Sequence, residues 1–502
     1  MTSNGTPAMT ELETFLPQDG SKYKDGKYKL PTISKDLELC RDTWDPFKER
    51  KVEHPTTDCD TLTHLLKAAL GTGILAMPFA FMNAGLSFGI FLTVLVSVVC
   101  THCAYVLIKC AHTLYRRLRV SSMTFPDVGE VAFANGPPWG RKFAKLIRMA
   151  IIGGLFGAYF GTCSVYTVII ARNFQQVVEH YTETVYNDRL CISLLLVPLI
   201  ILSWVPNLKY LAPISMVANF FMGFGLGITL YYLVWDLPAP STMPQIGSIV
   251  DYPQFFSITI FAMEAIGVMM PLENNMKTPQ HFLGICGVLN MGMSGVTLVY
   301  VLLGFLGYLK YGENTYATIT LNLPTEEYAA QSVKILVALA VFCTYGLQYF
   351  VCLELVWDAV KDKFTKKKTF YEYVVRTILT FTTVAVAVAV PQIGPFLGLI
   401  GALCFSLLGI VIPALIEIVT YWDTGLGRCY WIVWKNILVG TFGLLALGFG
   451  SYTSIVDIIS EYLGEPEPMV IPPYVMSEVN KTVHDAFVLV NSTLLGRNGT
   501  TP

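Results

Sequence analysis

One carboxylate stands mid-way along an apolar run, Glu264 in PQFFSITIFAMEAIGVMMPLEN. An acidic residue at the depth of a bilayer is costly, and it pairs, takes up a proton or lines an ion path. An apolar surround favours the neutral form of a carboxyl, so Glu264 can exchange a proton; it can equally hold a hydrogen bond that staples its helix. The other group with suitable chemistry is His64, in TLTHLLKAALGTGILAMPFAFMNAG. Histidine titrates close to neutral pH, which suits proton coupling. His64 shares a helix face with Gly71 at spacing i, i+7, roughly 10 Å before it. On its residues alone it also reads as an interfacial histidine facing headgroups.

Both segments carry helix-loosening residues at the same depth. Gly71, Thr72 and Gly73 precede Pro78 in the first, and Gly267 precedes Pro271 in the second. Glycine weakens a helix and proline lacks an amide hydrogen, so each segment is predicted to break near its middle. Taken singly, either could be an ordinary close-packing position of a membrane helix. Taken together, at matching places in two halves, they point to an inverted-repeat transporter with its site at the midplane.

Other chemistries fit poorly. The stretch CTHCAYVLIKCAH places Cys100, His102, Cys103, Cys110 and His112 close in sequence. Haem attachment would need a histidine where Ala104 stands, and Cys103 with Cys110 lines one face of an apolar helix, so no metal or cofactor is predicted. No phosphate-binding glycine loop of the G-x-x-x-x-G-K-[ST] kind occurs, which argues against a nucleotide-driven pump. No nucleophile and base pattern suggests an enzyme. The formal net charge of −2 gives no basic face for nucleic acid.

The elements that must position these groups are membrane helices. Hydrophobic residues make up 53% of the chain and charged residues 14%, against about 25% charged in soluble domains. A span needs about 20 apolar residues that satisfy their own backbone. The chain is therefore read as all-α and polytopic with about 11 transmembrane helices, at 61–82, 86–110, 146–171, 190–206, 211–235, 253–271, 283–308, 331–357, 373–390, 396–420 and 436–458. Lysine and arginine stay on the cytoplasmic side in short loops. With the amino terminus inside, only Arg172, Arg189, Lys310, Lys334, Lys481 and Arg497 fall in outer segments, and Lys67 lies within the first span. Glycosylation sequons at Asn480, Asn491 and Asn498 then lie outside, while that of Asn4 stays inside. The division is a cytoplasmic tail over 1–59, a transporter domain over 60–460 and an extracytosolic glycosylated tail over 461–502. Within the domain, repeat one covers about 61–235, repeat two about 253–420 and an extra helix 436–458. The twelve cysteines lie mostly in apolar runs and none falls in an outer loop, so no disulfide framework is predicted. The polar amino terminus lacks a cleavable-signal core, so insertion is expected to begin at the first span.

Five segments carry a resemblance to a known family: HLLKAALGTGILAMPFAFMNAG, HCAYVLIKCAH, FAMEAIGVMMPLENNMKTP, GYLKYGENTYATITLNLP and QSVKILVALAVFCTYGLQYFV. They closely resemble the proton-coupled amino acid transporters of the amino acid and auxin permease superfamily, and within it an insect branch, over about residues 50–460. The resemblance implies a five-plus-five inverted repeat of the leucine-transporter type plus one helix. It implies symport of protons with small neutral amino acids such as glycine, alanine and proline. By the same resemblance His64 is the proton-sensitive histidine, Gly71, Thr72, Gly73 and Ile74 offer amides to a substrate carboxylate, and Phe261, Ala262 and Glu264 face the substrate ammonium. Residues 173–189 and 309–330 lack the cysteine pair of mammalian relatives, so mammalian outer-loop behaviour and substrate range do not transfer directly. Two rival readings stay open. Sodium coupling or exchange would use backbone carbonyls and hydroxyls that a sequence does not reveal. A nutrient sensor would use the 1–59 tail, which is long enough to host a motif for a cytosolic partner. Either the plasma membrane or an endolysosomal membrane fits.

Overall fold

The first predicted break is visible in how its helix begins and ends. Thr57 and Asp60 form a reciprocal capping box that starts α1, Asp58–Ala69, satisfying amides that a helix start leaves open. The helix stops at Leu70, and Gly71 is extended at φ −75° and ψ −159°. A 3₁₀ turn, Thr72–Ala76, leads into α2, Met77–Ala84, and the two halves are bent by 45°. Pro78 stands in the first turn of α2. There a missing amide hydrogen costs nothing, so Pro78 opens the second half-helix, and the interruption itself belongs to the glycines.

The computed structural model describes residues 45–50, 52, 55–206, 208–263, 265–363 and 367–463, with side chains described except at 208–216, 362, 461 and 463. After α2 come α3 (Leu86–Leu118), α4 (Phe125–Ala134), α5 (Ala144–Thr182), α6 (Asp188–Leu194), α7 (Leu196–Ser203) and α8 (Leu208–Val234). The second half holds α9 (Tyr252–Met263), α10 (Ile266–Asn275), α11 (Val288–Tyr311), α12 (Tyr328–Val360), α13 (Lys368–Ala389) and α14 (Ile393–Ile400). A π-helical stretch, Gly401–Val411, joins α14 to α15 (Ile412–Tyr421), and α16 is Trp431–Leu463. Among the described residues the only bridge of strand type pairs Thr56 with Met276. The chain falls into Met1–Ile455 and Val456–Pro502. Of the latter, the described residues 456–463 are the end of α16.

Among the described residues nine helices are long and apolar enough to cross a membrane, and the bent α1–α2 pair makes ten. The span expected at 190–206 is present as two short helices, α6 and α7, neither long enough alone. The protein is an all-helical, multi-pass membrane protein, and eleven crossings are consistent with this arrangement. The 33 residues of α3 reach about 50 Å at 1.5 Å per residue, beyond the roughly 30 Å hydrocarbon core, so the helix projects into a polar phase.

The core forms around the interrupted helices. The long helices α5 and α12 pack on each other, and α12 packs on α8. Half-helix α9 packs on α2, on α14 and on the π-helical stretch. Leu65, Ile74, Leu75, Met77, Phe81, Phe255 and Ile258 are buried together in this core.

Candidate functional site

The two breaks touch through backbone. A Cβ placed on Gly73 would stand 2.6 Å from the Cα of Ala262 and 2.9 Å from its Cβ. Only a residue without a side chain permits that approach, which accounts for glycine at this point of the first break. Across from it, α9 ends at Met263, and α10 starts after Ala265, whose φ of −129° and ψ of 13° lie outside the helical range. Glu264 lies outside the described residues. Gly267 belongs to the first turns of α10, where a Cβ would meet the Tyr159 hydroxyl at 2.6 Å.

Between the breaks is a cavity of about 90 Å³. One wall is nearly all backbone and small side chains, from Gly71, Thr72, Gly73 and Ala262. The other is built from Tyr159, Thr162 and Tyr166 of α5, Gln348 of α12, and Phe261 with Phe405. The last two rings meet edge to face with centroids 5.7 Å apart. The Tyr166 hydroxyl lies against the side chains of Thr72 and Gln348. Among the described residues no acceptor is bonded to the amides of Gly71, Thr72 or Gly73, and such first-turn amides suit an anion. The carbonyl ends of the paired half-helices gather on one residue: buried Tyr300 of α11 donates its hydroxyl proton toward Ala69 O at 2.6 Å and Ala262 O at 2.9 Å.

Of the site residues expected from the sequence, Gly71, Thr72, Gly73, Phe261 and Ala262 line this cavity. Ile74 does not; its side chain is buried in the core beside Leu75 and Met77. His64 is half-buried on α1 and is not part of the lining. Asn480, Asn491 and Asn498 lie outside the described residues. The sequence reading missed Tyr159, Thr162, Tyr166, Gln348, Phe405 and Tyr300. A signal for the first three was available, because spacings of three and four residues put them on one face of α5.

A second polar cluster lies away from the cavity, where Arg50 and Thr56 meet the ends of α3 and α10. Glu273 is buried there with Arg50, whose Nη2 stands 3.1 Å from Glu273 Oε1. Arg50 also donates to Ser121 O at 2.8 Å and Glu273 O at 2.9 Å. His112 Nε2 lies 2.9 Å from Glu273 Oε1, and the Tyr115 hydroxyl donates to Oε2 at 3.2 Å. His112, considered above as a metal ligand, thus serves a carboxylate. Among the described residues no three side chains gather as a metal site. Backbone completes the join, with Thr56 N bonded to Asn275 O at 2.8 Å and Lys277 N to Thr56 O at 2.9 Å.

The sequence pattern of the transmembrane amino acid transporter protein family matches residues 54–456, which takes in both breaks and all but the end of the last helix. The chain belongs to that family. It is similar to the proton-coupled amino acid transporter-like protein pathetic of Drosophila melanogaster, 57% identical over 464 residues, covering 92% of this chain and 97% of that protein. It is also similar to amino acid transporter ANT1 of Arabidopsis thaliana, 26% identical over 426 residues, covering 80% and 93%. The chain is therefore an amino acid transporter of the membrane, in a family of transporters and not of enzymes, and the resemblance seen in its motifs extends over almost its whole length.

Proposed function

We propose that the protein is a secondary active symporter that carries protons with small neutral amino acids, of the glycine, alanine and proline class, into the cytosol by alternating access. The observation that carries this reading is the small cavity between the breaks. Its 90 Å³ is well under the roughly 300 Å³ at which pockets begin to take drug-sized ligands, and holds a few waters or a short side chain. Open amides at the α1–α2 break suit the substrate carboxylate, and carbonyls at the end of α9 suit its ammonium. No charged side chain lines the described wall, which favours a neutral side chain in the substrate. In this reading His64 and Glu264 are the candidates for the proton. The 57% identical relative is named as proton-coupled, which supports the choice of ion. The amino terminus is assigned to the cytosol and the carboxyl tail to the opposite side.

The driving force suffices. One charge crossing 100 mV gains about 2.3 kcal/mol, and each tenfold gradient costs about 1.4 kcal/mol. One proton therefore sustains roughly 40-fold accumulation without a pH difference. The test applies a panel of amino acids to expressing cells while proton current is recorded. Glycine, alanine and proline should evoke inward current. Gly73→Val at normal surface level should evoke almost none, because its branched side chain would enter the Ala262 backbone; wild-type uptake by that variant would refute the site.

A further inference from the structure

Tyr300 is fully buried on α11 and belongs to neither interrupted helix, yet its hydroxyl reaches both. Ala69 is the last residue of α1, and Ala262 is the second-last of α9. The last carbonyls of a helix have no partner within it and carry the negative end of its dipole. Two such ends aimed at one buried point make a place that draws positive charge, and transporters with discontinuous helices use freed carbonyls of this kind to hold a coupling ion. Here the point is filled by a phenol oxygen whose one proton is shared between two acceptors.

We propose that Tyr300 is a positioning residue, and that its fixed hydroxyl proton takes the place between the Ala69 and Ala262 carbonyls that a coupling cation would otherwise occupy. The hydroxyl sets the distance between the two half-helix ends in every step that keeps them together. It leaves neighbouring carbonyls, not these two, for the substrate ammonium. Because a covalently held proton fills the position, no sodium is needed there. The inference rests on the reading of the adjoining cavity as the substrate site, and the geometry of the clamp is independent of which amino acid enters.

Tyr300→Phe keeps the ring and deletes only the hydroxyl. It leaves two buried carbonyls without a donor around a gap the size of one oxygen, which a small monovalent cation fits. The full-length protein is purified, reconstituted in vesicles and assayed for labelled alanine uptake at fixed pH in sodium, lithium or choline. Wild type should be the same in all three. Tyr300→Phe should lose about tenfold or more in choline and regain most of that in sodium or lithium with a saturable dose response. Melting of the purified proteins supplies a readout free of substrate: sodium should raise the midpoint of Tyr300→Phe and leave wild type unmoved. The proposal is overturned by sodium-dependent uptake in wild type, by Tyr300→Phe working as wild type in choline, or by a loss equal in all three salts with no cation effect on melting. A variant too unstable to purify leaves the wild-type comparison to decide. The cavity reading fails separately, on uptake by Gly73→Val, whereas the clamp fails on the response to cations.

Discussion

Removing Arg50 should loosen its join to the end of α10, at a cost set by how completely the Glu273 pair is dry. The two side chains are 5% and 0% exposed, so Arg50→Ala strands a buried carboxylate. Breaking such a pair from one side costs about 3–5 kcal/mol. Glu273 keeps His112 at 2.9 Å and the Tyr115 hydroxyl at 3.2 Å, which places the expected loss at the low end, about 3 kcal/mol, or roughly 150-fold in the folding equilibrium. Glu273→Gln should cost less, because the guanidinium retains the Ser121 and Glu273 carbonyls and the faces of Phe47 and Tyr115. The assay is a double-mutant cycle, with unfolding of the purified protein titrated by a denaturing detergent. With Glu273→Gln already present, Arg50→Ala should cost at least about 1 kcal/mol less than it does alone. If the two changes add within about 0.5 kcal/mol, the pair is not a coupled unit and the reasoning fails.

Two of the cavity glycines, Gly73 and Gly267, should differ in tolerance. Gly73→Ala presses on the Ala262 backbone and should abolish most uptake, whereas Gly267→Ala presses on the far end of the Tyr159 side chain, which can turn aside, and should keep a measurable fraction; equal losses would contradict the backbone contact. For coupling, His64→Ala should eliminate substrate-evoked proton current while surface level holds, and Glu264→Gln should keep some coupled transport. The opposite pattern gives the role to Glu264, and full acid-stimulated current in both variants removes it from both. Glycosidase should shift the mass of the expressed protein, removal of Asn480, Asn491 and Asn498 together should abolish the shift, and removal of Asn4 should leave it; a carboxyl tail found in the cytosol would overturn the assigned orientation.

What the residues disclosed and what they hid follow one physical line. Helices and their interruptions are local, so apolar run length gave most spans and Gly71 with Gly73 gave the first break. Pro78 misled in part, because a proline that looks like a breaker is equally a good helix opener, and only the preceding backbone decides. The 190–206 span reads as continuous apolar sequence, yet the chain divides it at Leu195 between α6 and α7. Ile74 sits one residue from a lining glycine and still turns to the core, since adjacent residues of a turn face different ways. The contacts that finish the site join distant residues: Tyr300 lies 231 positions from Ala69, and Arg50 lies 223 from Glu273. A tyrosine within an apolar run looks like any other span residue until the fold sets it against two open carbonyls.

The backbone meeting of Gly73 and Ala262 also bears on where a change of substrate could be built into the proposed site. At Gly73 there is no room for a side chain to grow, so a change there should remove transport. On the opposite wall Tyr159, Thr162, Tyr166, Gln348 and Phe405 present side chains from elements other than the two broken helices. A library confined to those five positions would sample new substrate sizes and polarities while the chain breaks stay intact, and trimming Phe405 is the shortest route toward a larger amino acid.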